Sequence, residues 1–122
     1  MSVRRKLVIV VDDDGTMLKS LERLLNASGF DTEVFRSAEA FLARPAAREV
    51  ACLVIDIHLG GMSGIELRRR LTASGSAVPV VFMTAFDDDD THNAAIRAGC
   101  IACLHKPFPA RSLIGAIEIA AP

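Results

Sequence analysis

The chain contains five short apolar runs, each followed by a segment with helical spacing, and this alternation leaves few folds open to it. The runs are rich in Val and Ile and are bounded by Asp, Gly or Pro, which favours strands over fragments of helix. They are Leu7–Val11, Thr32–Phe35, Cys52–Ile55, Val78–Met83 and Ile101–Leu104. Three of them are nearly all apolar instead of alternating, as in parallel strands that are covered on both faces.

Helical patterns fill the segments after these runs, and each has a recognisable beginning or end. The first repeats leucines at helical spacing and stops at Ser28-Gly29. Start signals for the other helices are Ser37, Ser63, the acidic run Asp87–Asp90 and Pro109. This regular alternation predicts an α/β fold: a doubly wound, flavodoxin-like sheet of five parallel strands in the order 2-1-3-4-5, with five helices.

Length and composition limit the classes of protein to consider. The 122 residues suffice for one domain, which we expect to span positions 1–122. Fourteen Lys and Arg against fifteen Asp and Glu give a net charge of −1, which favours neither nucleic acid nor a membrane surface as a partner. No apolar run approaches the roughly 18 residues of a membrane span, and the first run is too short for a signal peptide. We therefore expect a cytoplasmic protein.

The cysteines and histidines do not indicate a disulfide framework or a transition-metal site. The three cysteines are an odd number and lack framework spacing. Cys100 and Cys103 form a C-x-x-C motif, but they fall at the start of a predicted strand and within it. Small buried side chains are the favoured interpretation, and thiol redox chemistry is the weaker alternative. The three histidines, His58, His92 and His105, lack metal-ligand spacing.

Eight of the nine aspartates follow three of the predicted strands. They are Asp12, Asp13 and Asp14 after the first strand, Asp56 after the third, and Asp87–Asp90 after the fourth. In an open α/β sheet ligands bind beyond the carboxyl ends of the strands, above all where the strand order reverses, between the first and third strands. We therefore expect Asp12, Asp13 and Asp56 to converge in one crevice. Their mutual repulsion favours a divalent cation, Mg²⁺ above all, which leaves coordination positions for phosphate oxygens.

Further polar residues lie at or near the predicted strand ends. Asp14 and Asp87–Asp90 fit the starts of helices, where carboxylates cap free N–H groups. Lys106 follows the fifth strand, and a lysine there supplies a mobile positive charge for a phosphate. The Thr84 hydroxyl, at the end of the fourth strand, either faces the crevice or caps the next helix. Arg68-Arg69-Arg70 is interpreted as a solvated helix face and less readily as a patch for phosphates or an acidic partner.

At these positions the sequence resembles the receiver domains of two-component response regulators, and the likeness covers nearly the whole chain. The motifs that carry it are Val10–Asp14, Val54–Leu59, Gly61–Gly64, Met83-Thr84-Ala85, Ala98-Gly99 and Lys106-Pro107-Phe108. Each motif is weak alone, but together, in this order and at successive strand ends, they are specific. In its loops and its C-terminal end, the chain is most similar to the receivers of regulators that have helix-turn-helix output domains.

The resemblance implies a phosphoacceptor and a metal site. Asp56 would be the nucleophile that takes a phosphoryl group from the phosphohistidine of a histidine kinase. Asp12, Asp13 and Asp56, together with the backbone carbonyl of His58, would hold Mg²⁺ or Mn²⁺.

Two further roles follow from the same resemblance. Lys106 would pair with the phosphate, and the Thr84 hydroxyl would bind it after transfer. The Lys106–Pro107 peptide is expected to be cis. These roles agree with the physics of phosphoryl transfer, which requires positioning and neutralisation of charge more than covalent chemistry. The output would be a shift between two conformations, because the new phosphate contacts favour one of them.

Several positions depart from the family pattern. Cys103 stands where members usually carry an aromatic residue whose rotamer follows the threonine. We therefore expect a muted or differently routed change on the surface of the fourth helix, fifth strand and fifth helix. Gly60 replaces the usual proline and should loosen the loop over the site. His58 and Phe86 occupy positions that tune the access of hydrolytic water in the family.

The sequence thus predicts a response regulator receiver that is not a conventional enzyme, since it catalyses only its own phosphorylation and dephosphorylation. Expected partners are a sensor histidine kinase or phosphotransfer protein, an output domain or target protein, and a second copy in a homodimer. Direct binding of nucleic acid or membrane is not expected. The chain stops soon after the fifth predicted helix, so we expect either a stand-alone regulator or a piece of a longer one.

Two alternatives belong to other functional classes. One is a receiver-like module that binds its partner without phosphorylation; the set Asp12, Asp13, Asp56, Thr84 and Lys106 argues against it. The other is an aspartate-nucleophile phosphohydrolase. Such enzymes usually place a second Asp two residues after the nucleophile, where this chain has a histidine.

Overall fold

The computed structural model describes residues 5–46 and 48–122, in which five strands alternate with five helices. The strands are β1 (Leu7–Val11), β2 (Asp31–Phe35), β3 (Cys52–Asp56), β4 (Val80–Thr84) and β5 (Ala102–His105). The helices are α1 (Gly15–Ala27), α2 (Ala38–Leu42), α3 (Gly64–Ala73), α4 (Asp89–Arg97) and α5 (Ala110–Ala120). Neighbouring strands are parallel in the order β2-β1-β3-β4-β5, which confirms the predicted doubly wound fold.

The observed strand boundaries differ slightly from the predicted ones. The first strand is as predicted, and β3 runs one residue further, to Asp56. The fifth strand is shifted by one residue relative to the prediction, so that it begins at Ala102 and ends at His105. The fourth strand begins at Val80 instead of Val78, because Pro79 has no N–H to donate to a neighbouring strand.

The central strands are buried on both faces, which explains their almost continuous apolar sequences. Successive side chains of a strand point to opposite faces of the sheet. Ile9 and Ile55 pack on one face with residues of α2, α3 and α4, and Val10 and Val54 pack on the other with α1 and α5. None of the helices in residues 5–46 and 48–122 is long and apolar enough to cross a bilayer.

Most helix starts are as predicted. Side chains that accept a backbone N–H of the first turn cap α1 (Asp14), α2 (Ser37), α3 (Ser63) and α4 (Asp88), while α5 follows Pro109 without a side-chain cap. The hydrogen bond from the Thr91 N–H lowers the pKa of Asp88, and Asp89 and Asp90 lie in the same turn. Since Asp88 caps α4, the alternative in which Thr84 caps it is wrong.

The three cysteines are free thiols that resist ionisation. Cys52 is buried, and burial raises its pKa to about 12. Cys100 and Cys103 are half-buried, and burial raises the pKa of each of these thiols as well. Because the thiolate is the reactive form of cysteine, these raised values disfavour the thiol redox alternative.

Adding a methyl group to two helical glycines should have opposite effects on stability. A Cβ at Gly64 would lie 2.4 Å from the backbone oxygen of Asp56 and 2.9 Å from Cγ2 of Ile55, whereas a Cβ at Gly115 would meet no such neighbour within 4 Å. We expect Gly64→Ala to lower the free energy of unfolding by about 1–3 kcal/mol. Gly115→Ala should raise it by about 0.5–1 kcal/mol, since glycine weakens a helix interior. Urea unfolding followed by circular dichroism measures both; a Gly64→Ala protein as stable as wild type would contradict this packing.

Candidate functional site

Three carboxylates meet at the carboxyl edge of the sheet, as the sequence predicts. Asp12 directly follows β1 and is fully buried, and Asp56 is the last residue of the neighbouring strand β3 and is 7% exposed. Asp13 is exposed at the mouth of the same site. One carboxylate oxygen from each of the three residues lies within 4.8 Å of the other two, close enough to bind one cation.

Lys106 joins two of these carboxylates. Its Nζ lies 2.7 Å from Oδ2 of Asp12 and 2.8 Å from Oδ2 of Asp56. The lysine follows β5, which is two strands away from β3 in the sheet, so its long side chain reaches across the end of β4. The Lys106–Pro107 peptide is cis, as predicted.

Backbone N–H groups bind the remaining oxygens of the two joined carboxylates. Oδ1 of Asp12 accepts a hydrogen bond from the Asp14 N–H at 2.9 Å, and Oδ1 of Asp56 accepts one from the His58 N–H at 2.8 Å. Each carboxylate is therefore held on one side by the main chain and on the other by Lys106. This arrangement fixes the orientation of both groups before any ligand binds.

Burial and hydrogen bonding shift the pKa values of this cluster. Burial raises the pKa of Asp12, and the hydrogen bonds from Lys106 and the Asp14 N–H offset only part of the effect. For Lys106, burial alone acts to lower the pKa, but the hydrogen bonds to Asp12 and Asp56 outweigh it and leave the pKa above its ordinary value. The ammonium group therefore stays charged at neutral pH.

The donor set suits a hard divalent cation. Three carboxylates face one ammonium group, so the ionised cluster has an excess of negative charge. Mg²⁺ prefers oxygen ligands, and one or two carboxylates together with water and phosphate oxygens satisfy it. The residues present therefore fit this ion.

Thr84 lies at the same edge of the sheet, but its hydroxyl bonds to its own loop. It is the last residue of β4 and is 4% exposed. Its Oγ1 accepts a hydrogen bond from the Phe86 N–H at 3.0 Å and donates one to the Phe86 carbonyl at 3.3 Å. The structure thus places Thr84 beside the carboxylates without bringing its hydroxyl into contact with them.

The loops after β3 and β4 meet through two aromatic side chains. The His58 and Phe86 rings contact each other edge to face, with their centroids 4.4 Å apart and their planes at 65°. His58 is exposed and Phe86 is 54% exposed. The side chains at these two positions therefore form a pair that links the loop after Asp56 to the loop after Thr84.

Sequence reasoning missed two polar residues that contact the loops of the site. Arg36 donates a hydrogen bond to the backbone carbonyl of Asp13 at 3.2 Å, and Glu39 accepts one from the Met62 N–H at 3.0 Å. Both belong to the segment around the start of α2, more than twenty residues away in sequence from their partners. No motif or spacing in the chain indicates either contact, since both depend on how α2 packs against the sheet.

Comparison with known proteins decides the family. A family model described as the response regulator receiver domain matches residues 8–118. The chain belongs to this family. The chain is therefore a response regulator receiver domain of the kind found in two-component systems, as the sequence predicts. Receiver domains are generally not catalytic enzymes, and they bind Mg²⁺ through a cluster of acidic residues such as Asp12, Asp13 and Asp56.

Individual relatives agree with the family assignment. Response regulator protein TodT of Pseudomonas putida is 33% identical over 120 residues, which are 98% of this chain and 53% of that protein. Transcriptional regulatory protein FixJ of Bradyrhizobium diazoefficiens is 36% identical over 113 residues, 93% of this chain and 55% of that protein. The receiver thus spans about half the length of the curated relatives it matches.

Solved structures agree as well. The crystal structure of FixJ-N has a TM-score of 0.88 and 36% identity, with 98% of this chain and 95% of that chain covered. The response regulator StyR has a TM-score of 0.86 and 41% identity, with 97% of this chain and 60% of that chain covered.

Removing the ammonium group should destabilise the receiver in the absence of metal. We expect Lys106→Met to lower the free energy of unfolding by about 2–4 kcal/mol, because it leaves two buried carboxylates without their shared counter-charge. Lys19→Met, at an exposed position of α1, is the control and should change it by about 0.5 kcal/mol or less. Urea unfolding in EDTA measures both variants, and equal effects would contradict the role given to Lys106. Adding Asp12→Asn to Lys106→Met should recover part of the loss.

Proposed function

We propose that the receiver is a phosphoacceptor whose nucleophile is Asp56. A carboxylate oxygen of Asp56 attacks the phosphorus of a phosphohistidine on a sensor histidine kinase or phosphotransfer protein. The new O–P bond forms as the P–N bond to the imidazole breaks, and the histidine leaves with the bonding electron pair. The observation that carries this proposal is the Lys106 ammonium between Asp12 and Asp56, with Asp13 close enough to share a cation with them.

The carboxylates of Asp12, Asp13 and Asp56 and the backbone carbonyl of His58 would hold Mg²⁺ or Mn²⁺. When bound, this cation would neutralise the negative charge on the phosphoryl oxygens during transfer. Lys106 places its ammonium 2.8 Å from the nucleophile, where it pairs with the developing aspartyl phosphate. Because backbone N–H groups already hold Asp12 and Asp56, neither carboxylate needs to reorient for the reaction.

The conformational response starts at Thr84. Among the residues that the structure describes, only the Phe86 backbone forms hydrogen bonds with this hydroxyl. The single O–H can donate to a phosphate on Asp56 only by giving up its bond to the Phe86 carbonyl. We expect the rotation that turns Oγ1 toward Asp56 to break the bond from the Phe86 N–H as well, which releases the loop that carries Phe86. Cys103 cannot follow Thr84 as a large aromatic side chain would, so a muted or differently routed surface change remains our prediction.

The proposal extends to partners and to the scope of catalysis. The receiver catalyses its own phosphorylation and dephosphorylation and turns over no separate substrate. Its partners are the kinase or phosphotransfer protein that donates the phosphoryl group and an output domain or target protein that responds to it. Four further points stay predictions. They are a homodimer, a cytoplasmic location, the absence of direct contact with nucleic acid or membrane, and a single domain over 1–122.

The two alternatives have less support. A module that binds without phosphorylation would have no use for three carboxylates and a lysine in hydrogen-bonding arrangement, and the family assignment does not favour it. An aspartate-nucleophile phosphohydrolase usually has an acidic residue in the position of His58, whose exposed imidazole instead contacts Phe86.

Mass spectrometry of the intact protein tests the phosphoacceptor. After incubation with acetyl phosphate and Mg²⁺, wild type should gain the mass of one phosphoryl group and Asp56→Asn should gain none, because the amide cannot attack phosphorus. Asp87→Asn, an exposed acid that precedes the α4 cap, is the matched control and should be phosphorylated like wild type. EDTA should prevent the gain of mass in wild type and in Asp87→Asn, because it removes the cation. Unmodified wild type, or phosphorylated Asp56→Asn, would refute the assignment.

Hydrogen exchange of the Phe86 amide tests the role of Thr84. Phosphorylation of wild type should speed this exchange roughly fivefold to tenfold, as expected for the loss of one hydrogen bond. Thr84→Ala should exchange fast in both states, whereas Thr84→Ser keeps the hydroxyl and should behave like wild type. Residue-resolved NMR gives these rates, and a Phe86 amide that stays protected in the phosphorylated protein contradicts the proposed exchange of partners.

A further inference from the structure

The loop between β3 and α3 is held at three points. At its start, the His58 N–H donates to the Asp56 carboxylate at 2.8 Å, and at its end the Gly64 N–H donates to the Ile57 carbonyl at 2.9 Å. The third contact comes from a different element, because the Met62 N–H donates to Oε2 of Glu39 in the first turn of α2 at 3.0 Å. The carboxylate of Glu39 thus ties the far side of this loop to a neighbouring helix.

The loop fits closely around this carboxylate. Gly61 has a φ of +73°, a conformation that favours glycine, and a Cβ at this position would lie 2.8 Å from Oε2 of Glu39. Gly60 and Gly61 are both exposed and have no side chains that could pack the loop against the protein. Leu59, just before the two glycines, is buried in the core, so the contact with Glu39 restrains the part of the loop that follows it.

Glu39 is itself well placed to act as a fixed acceptor. Ser37 caps α2 by accepting the Ala40 N–H at 3.0 Å, and Ala38 is fully buried, so the backbone on both sides of Glu39 is anchored. The hydrogen bond from the Met62 N–H lowers the pKa of Glu39, so its side chain is ionised at neutral pH. A hydrogen bond from an N–H to a carboxylate is stronger than one between neutral groups.

We infer that Glu39 is a positioning residue for the metal site, holding the loop so that the backbone carbonyl of His58 stays in place to bind Mg²⁺. This inference rests on the proposed function. The physical reason is conformational entropy: a free glycine loop has to be ordered when the cation binds, and a loop already held by Glu39 does not. The acidic side chain compensates here for the rigidity that the usual proline would provide at Gly60.

The competing explanation is that Glu39 only stabilises α2. A negative charge in the first helical turn interacts favourably with the helix dipole, and Ala or Gln at this position removes that charge equally. The amide oxygen of glutamine still accepts an N–H, whereas alanine has no acceptor. Rescue by glutamine therefore excludes the helix dipole as the cause, and the exchange rate of the Met62 amide shows whether the contact that glutamine restores is the one to the loop.

Calorimetric titration with Mg²⁺ and NMR hydrogen exchange of the Met62 amide, measured on the full chain, test the inference. Glu39→Ala should bind Mg²⁺ roughly threefold to tenfold more weakly, at or below the range seen for residues that orient metal ligands. Its metal-free Met62 amide should exchange faster by a similar factor. Glu39→Gln should recover most of both losses, and Glu118→Ala, an exposed glutamate of α5, should match wild type.

Each contrary outcome has a distinct meaning. If Glu39→Ala leaves Met62 exchange unchanged, the contact does not restrain the loop and the inference is wrong. If exchange becomes faster but Mg²⁺ affinity is unchanged, or if Glu39→Gln binds as weakly as Glu39→Ala, the positioning role is wrong. These results leave the proposed function intact, whereas a wild-type chain that binds no Mg²⁺ overturns the proposed function and this inference together.

Discussion

The hydrogen bonds from one lysine to two aspartates are the interaction on which the functional edge of this receiver depends. Asp12 is fully buried, and a buried carboxylate is costly unless an opposite charge or hydrogen bonds compensate it. Lys106 supplies that compensation to Asp12 and Asp56 at once, at 2.7 and 2.8 Å. Asp13 remains as an exposed third carboxylate, so the cluster keeps a negative charge that a divalent cation can balance. In the proposed function, the same ammonium that stabilises the metal-free site pairs with the phosphate on Asp56.

The topology of the sheet makes this interaction available. Parallel strands all end at one edge, and the order β2-β1-β3-β4-β5 makes the strand before Asp12 and the strand that ends in Asp56 direct neighbours. Lys106 is 94 residues from Asp12 in the sequence and 50 from Asp56, yet the sheet brings all three together. Two loops that leave these strands are tied back by hydrogen bonds. The Phe86 backbone bonds to Thr84 at the end of β4, and the loop after β3 bonds through the Met62 N–H to Glu39.

Much of the fold and of the site could be predicted because the relevant signals are local. The apolar runs predicted the strands to within two residues, and Asp14, Ser37 and Ser63 cap the helices whose starts they marked. The convergence of Asp12, Asp13 and Asp56 followed from strand order alone. Two interpretations were wrong although their signals were also local: the alternative in which Thr84 caps the next helix, and the start of the fourth strand at Val78. Asp88, a better-placed acceptor, caps α4, and the missing N–H of Pro79 delays β4.

Short segments of the chain already specify which chemical groups this receiver has at the ends of its strands, because residue type, periodicity and turn residues are local properties. Which of those groups come into contact depends on the packing of the folded domain. The Lys106 bridge, the edge contact between His58 and Phe86, and the bond from Glu39 to the Met62 amide all join segments whose separation depends on how helices pack on the sheet. Such distances result from the summed packing of the whole core, and no short segment contains them.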